Sequence, residues 1–133
     1  MNYRFKFRVW DVKQKKFLTE SYFAILGNGK LILTLCGYYT EFTNTNQDDY
    51  VVQQYTGLTD NNDVSIYEGD ILKNHYDVSN NIIGQVLYES DHGGYIFQWK
   101  RRGQDYKITN LNCDVAFESV IVGNIFEHEN LLK

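Results

Sequence analysis

At 133 residues, with a net charge of −4 and 43% apolar side chains, the chain is long enough for one domain, or two small lobes, around a buried core. The mildly acidic balance argues against a general nucleic-acid binder. The absence of proline argues against a stiff or disordered Pro-rich segment. Charge is spread unevenly: residues 1–20 carry +4, residues 21–70 carry −6 and residues 71–133 carry −2. A basic N-terminal strand and an acidic middle are suited to self-association. Eleven Tyr and eight Phe against a single Met give a strand-favouring composition.

The opening run Tyr3-Arg4-Phe5-Lys6-Phe7-Arg8-Val9 alternates strictly. The period predicts a half-buried strand with Tyr3, Phe5, Phe7 and Val9 on one face and a cationic outer face of Arg4, Lys6 and Arg8. Trp10-Asp11 ends it, and Lys13 to Lys16 reads as a turn before Phe17-Leu18. A hairpin follows, Tyr22–Leu26 with Leu31–Leu35, whose Asn28-Gly29 step predicts a type I′ turn. Residues 40–49, rich in Thr, Asn and Asp, read as a loop.

Tyr50–Tyr55 is expected as a short strand stopped by Thr56-Gly57. The turn Asp60-Asn61-Asn62-Asp63 leads to Ile66-Tyr67, and Gly69-Asp70 opens a strand to Tyr76. That strand forms a second hairpin with Ile83–Glu89 through Ser79-Asn80-Asn81. Turns at Asp91–Gly94 and Arg101–Asp105 set off Tyr95–Trp99 and Tyr106–Ile108. Ser119–Phe126 is the last strand, and Glu127–Leu132 has room for one helical turn. Short strands punctuated by Gly and Asn predict a mainly β fold of antiparallel strands. The expected organisation is an N-terminal β-hairpin lobe over residues 1–50 and an SH3-type barrel or roll over residues 51–133.

Cys36 and Cys113 are far apart and outside any CxxC, as expected for reduced cytosolic thiols. The N-terminus has no apolar run of leader length, and the apolar-rich stretch from Tyr22 to Tyr39 is broken by Gly27-Asn28-Gly29-Lys30. A soluble protein of the bacterial cytoplasm is expected, with no membrane partner.

Three segments together resemble the YopX family of phage and prophage proteins. They are Phe5-Lys6-Phe7-Arg8-Val9-Trp10-Asp11; Gln54-Tyr55-Thr56-Gly57-Leu58 with Ile66-Tyr67-Glu68-Gly69-Asp70-Ile71; and Ile121-Val122-Gly123-Asn124-Ile125-Phe126-Glu127 with Asn130-Leu131-Leu132. They fall in the family's order and cover nearly the whole chain. The resemblance implies a β-rich fold with an SH3-type barrel in its C-terminal part, a phage or prophage gene and self-association. It brings no catalytic residues. Here the chain departs at Thr59–Asp63, where relatives tend to have Lys and Gly, and at Glu127–Asn130, where they often have proline.

No residue set has the spacing of a catalytic or metal site. Asp60 to Asp63 lacks the pattern of a calcium loop, and turn formation explains its acids. Glu68 and Asp70 flank Gly69 as strand-entry residues more simply than as paired acids. His75, His92 and His128 show no ligand spacing, so no metal and no cofactor is expected. The compact basic run Lys100-Arg101-Arg102 follows Trp99 and Phe97. It suits a solvated turn better than a phosphate contact, since three charges neutralise few phosphates. A non-enzymatic, self-associating interaction module is therefore expected, with itself and a host or phage protein as partners. The alternative is a nucleic-acid-binding accessory protein using Lys100, Arg101 and Arg102 with Arg4, Lys6 and Arg8.

Overall fold

The computed structural model describes residues 4–19, 22–35, 38–41, 49–75, 82–101 and 103–133. The fold is mainly β with antiparallel pairing and little helix. The chain divides into two compact units, one of Phe5–Gln54 and one of Met1–Arg4 with Tyr55–Lys133. Expectations for Tyr3, Cys36, residues 42–48, the turn at residues 79–81 and Arg102 lie outside the described residues. Among the described residues no helix is long and apolar enough to cross a membrane.

In the unit Phe5–Gln54, β1 (Phe7–Asp11) lies between β2 (Lys16–Phe17) and the first half of β6 (Tyr50–Thr59), with Trp10 opposite Phe17 and Val9 opposite Val52. A three-stranded sheet is formed by β3 (Phe23–Ile25), β4 (Leu31–Leu35) and β5 (Tyr38–Glu41). Two expectations change here. The first strand starts at Phe7, and Phe5 is 69% exposed where alternation placed it in the core. The face assigned to cations is also aromatic: Trp10 meets the Phe17 ring edge-on at 4.9 Å, and the Arg8 guanidinium stacks on that ring at 4.6 Å. Phe17 covers a face that alternation alone leaves to water, so Val9 and Trp10, on opposite faces, are both buried.

The hairpin β3–β4 forms with Ile25 opposite Leu31, but its turn is not type I′. Gly29 N–H donates to the Leu26 carbonyl, Leu26 N–H to the Lys30 carbonyl, and only Gly29 has positive φ, at 85°. This is a turn closed by a glycine bulge, the other common solution for a short hairpin. Thr40 and Glu41, expected in a loop, belong to β5.

In the unit containing Tyr55–Lys133, β6 runs on through Gly57 to Thr59 and does not stop there. Its pairing with β7 (Ser65–Tyr67) slips between Tyr55↔Tyr67 and Thr59↔Ser65, and Gly57 adopts φ 87° in the slipped stretch. Thr56 secures the slip: its hydroxyl donates to the Ile66 carbonyl at 2.8 Å and accepts the Leu58 N–H at 3.2 Å. A glycine that reads as a strand breaker is here a bulge that bends a continuing strand.

The second sheet has the order β11-β10-β9-β8-β12, built from β8 (Asp70–Asn74), β9 (Ile82–Glu89), β10 (Gly94–Lys100), β11 (Lys107–Asn110) and β12 (Ser119–Asn124). Four strands meander in chain order and the fifth returns beside the first. The five-residue helix α1 (Cys113–Phe117), which the sequence reading missed, precedes β12; Asn112 caps it by accepting the Val115 N–H at 2.9 Å. A 3₁₀ turn, Glu129–Leu132, sits where one helical turn was expected. The core joins Ile66, Leu72, Ile82, Val86, Phe97 and Ala116, with Leu58, Trp99 and Ile121 against it.

Candidate functional site

Acidic and amide residues in and beside the three family-like segments are engaged in backbone turns. Asp11, 4% exposed, accepts the N–H groups of Lys13 and Gln14 on Oδ1 at 3.0 and 2.9 Å and so shapes the β1–β2 turn. Asp60, 5% exposed, does more. Its Oδ1 accepts the N–H groups of Asn62 and Val64, both at 2.9 Å, and its Oδ2 accepts the Ile121 N–H of β12 at 3.0 Å. Asn61 N–H adds a bond to the Ser119 carbonyl at 2.8 Å, so the β6–β7 turn is stapled to β12. Asp70, also buried, accepts the Tyr67 N–H at 2.8 Å. Asn124 Oδ1 accepts from both Phe126 and Glu127 N–H at 3.0 Å. A side chain whose lone pairs hold amides at a turn is a structural element first.

Glu68 lies near a tyrosine pair. Tyr88 and Tyr95 pack edge to face at 5.4 Å, and burial, then Glu68, then Tyr88 push the Tyr95 phenol above its ordinary pKa. Among the described residues, no three His, Cys, Asp or Glu side chains are grouped to hold a metal ion.

The structure brings only part of the predicted basic set together. Lys100 ends β10, half-buried, with Nζ 4.7 Å from the centre of the Tyr106 ring. The Arg101 guanidinium lies 5.9 Å from the Trp99 ring centre, and Lys107 Nζ lies 5.5 Å from the same ring. Lys107 and Tyr106 were not singled out from sequence. Lys107 becomes a member because the antiparallel register places it opposite Trp99, which requires knowing which strands pair. Arg4 is exposed, with its side chain beside Gly57. Lys6 and Arg8 belong to the unit Phe5–Gln54, where Arg8 Nε donates to Gln53 Oε1 at 2.8 Å and its charge rests on Phe17. Of the three, Arg8 lies within a strand, since β1 starts at Phe7 and leaves Arg4 and Lys6 ahead of it.

Trp99 itself points inward. Its Nε1–H donates to Thr109 Oγ1 at 2.9 Å, and with Phe97, Ile82, Asn74, Val115 and Glu118 it lines a cleft of about 260 Å³. Beneath the rim, Asn74 Nδ2 donates to Ser119 Oγ at 2.9 Å, and Ser119 Oγ donates to the Val115 carbonyl at 2.6 Å. The outer strand β11 exposes a different resource. Leu111 N–H donates to the Tyr95 carbonyl, and bonded pairs alternate along an antiparallel ladder. With Gln98 opposite Ile108, that phase turns the N–H and C=O of Ile108 and Asn110 away from β10. Among the described residues no strand pairs with that side of β11, and Ile108 is 53% exposed.

Compared with known families, the chain matches the profile described as YopX protein over residues 6–133. Its fold resembles the crystal structure of protein EF1440 from Enterococcus faecalis, with TM-score 0.61, 26% identity and coverage of 97% of this chain and 98% of that one. It also resembles the crystal structure of protein yopX from Bacillus subtilis, with TM-score 0.59, 16% identity and coverage of 100% and 98%. A comparison with curated proteins finds no match.

Proposed function

We propose that this chain, which belongs to the YopX family, works by surface recognition and self-association and not by catalysis. The observation that carries the proposal is the open outer side of β11. It offers the backbone groups of Ile108 and Asn110 to another strand, beside an exposed isoleucine. Such an edge is a template for strand addition by a second copy or by an extended segment of another protein. The turn roles of Asp11, Asp60, Asp70 and Asn124 support the non-catalytic part, since these motif side chains spend hydrogen-bonding capacity on the fold. The order β11-β10-β9-β8-β12, with a short helix before the returning strand, supports reading this sheet as an SH3-type barrel. The family resemblance supports a phage or prophage gene, a cytoplasmic protein and a host or phage protein as partner.

Light scattering across a concentration series tests this. Wild type is expected to form a defined oligomer, and Ile108→Lys, which places a charge on the edge without touching the core, is expected to shift it toward monomer. A strict monomer at all concentrations refutes self-association. A second reading, single-stranded nucleic-acid binding, is favoured by the cations Arg101 and Lys107 around Trp99 and by Lys100 on Tyr106. Anisotropy titration of labelled DNA and RNA at two salt concentrations decides it: absence of binding at low salt removes this reading.

A further inference from the structure

The unit Phe5–Gln54 holds a cleft of about 350 Å³ that the interaction reading above does not use. Its walls are Phe17, Tyr22 and Tyr50 with Leu18 and Leu33, and Asp11 lines it. Asp11 is 96% shielded at the level of the residue, being 4% exposed, yet its hydrogen bonds are lopsided. Oδ1 takes both amide bonds, while Oδ2 accepts none from the described residues. Within this unit Lys13 is paired with Asp49 at 3.2 Å, and Lys16, across the ladder from Asp11, is an exposed residue at the cleft. No cation among the described residues forms an ion pair with Asp11. Solvent reaches Oδ2, so it is open to a further N–H donor while Oδ1 is engaged by the turn.

Among the described residues, Asp11 and the exposed Lys16 are the charged residues that line the cleft. Burial raises the Tyr50 phenol pKa, and Asp11 and Asp49 raise it further, while Lys13 opposes them. Aromatic rings attract cations through their faces, and Tyr22 and Tyr50 line the cleft beside Phe17, whose ring already carries the Arg8 guanidinium. We propose that this cleft binds an organic cation, a guanidinium or primary ammonium group whose N–H donors meet Asp11 Oδ2 while its alkyl stem packs on the apolar and aromatic walls. The apolar and aromatic lining matches a side-chain-like stem, and its volume lies within the range of small-ligand pockets.

The test follows amide shifts of isotope-labelled full-length protein during titration with N-acetyl-argininamide, N-acetyl-lysinamide and neutral N-acetyl-citrullinamide. Saturable shifts of the Lys13, Gln14 and Leu18 amides are expected with at least one cationic probe, and the better probe identifies the head group. The neutral probe should give none. Asp11→Asn keeps an oxygen for the two turn amides and removes the charge, so it should weaken binding about tenfold or more. Tyr22→Ala, at a wall residue that is 54% exposed, should also weaken it. Absence of saturable shifts with both cations, equal binding of the neutral probe, or unchanged affinity in either variant overturns the proposal.

Discussion

Gly84 sits in the middle of β9, opposite Leu72 on one side and Trp99 on the other, and the structure leaves no room there for a methyl group. A Cβ at this position would collide with the Gln98 carbonyl oxygen and stand 2.7 Å from Phe97 Cε2 and 2.8 Å from Trp99 Cβ. Two of these neighbours could give way only by moving β10 itself, because one is backbone and the other is the first side-chain atom. Restoring ordinary contact, at 3.4 Å or more, means parting β9 and β10 by up to about an ångström, which weakens ladder bonds as well as core packing. Overpacking of this kind costs roughly 1–3 kcal/mol and occasionally more, and with backbone as the obstacle about 3 kcal/mol is expected for Gly84→Ala. At roughly 4 °C per kcal/mol for a chain of this size, the melting temperature should fall by about 12 °C. Gly94 supplies the control: no atom lies within 4 Å of its built Cβ and its φ is not positive, so Gly94→Ala should leave stability within about 1 kcal/mol of wild type. Thermal melts by circular dichroism, with urea titrations, measure both variants. A Gly84→Ala protein melting within about 2 °C of wild type would refute the packing argument.

Asp60 should behave as a structural staple. Asp60→Ala removes the acceptor for three amides and should cost about 2–4 kcal/mol in urea unfolding, whereas Asp60→Asn keeps an oxygen for Asn62 and Val64 and should cost roughly half as much; an Asp60→Asn protein as stable as wild type would show that the link to Ile121 contributes nothing. Tyr95 sets an alkaline limit. Its folded pKa is raised, first by burial and then by Glu68 and Tyr88, so the folded state holds this proton more tightly than the unfolded chain. The stability it contributes is complete below the ordinary phenol value and is lost as pH rises from there through the raised folded value. Tyr95→Phe should flatten that decline, and the difference in ultraviolet titration between the two proteins should show a phenol ionising late; an early one would contradict the assignment.

The strands were readable because short-range chemistry specifies them. Alternation and β-branched or aromatic content mark β9, β10 and β12, and Asn, Asp and Gly mark the turns between them. The three-part resemblance likewise pointed to the family whose profile matches residues 6–133. Errors arose where two local signals look alike. A glycine with positive φ can end a strand or bulge it, and Gly57 bulges β6 because β7 is present to continue the pairing through Thr56 and Ile66. The Asn28-Gly29 step fits two turn types, and the bond from Leu26 N–H to Lys30 selects the one with a single left-handed residue.

The sequence by itself determined that this chain is a mainly β protein of a particular family, since side-chain period, turn residues and ordered motifs are local properties. Tertiary structure alone decided what those residues do. It made the turn former Asp60 a staple on β12 as well and set Lys107 beside Trp99. It covered the face of β1 with Phe17, left β11 at an edge, and set Asp11 in the lining of a cleft. Each of these depends on which strands pair and in what register, and a shift of one residue would exchange the two faces of every strand involved. Register is set by long-range packing across the fold, which no local pattern carries.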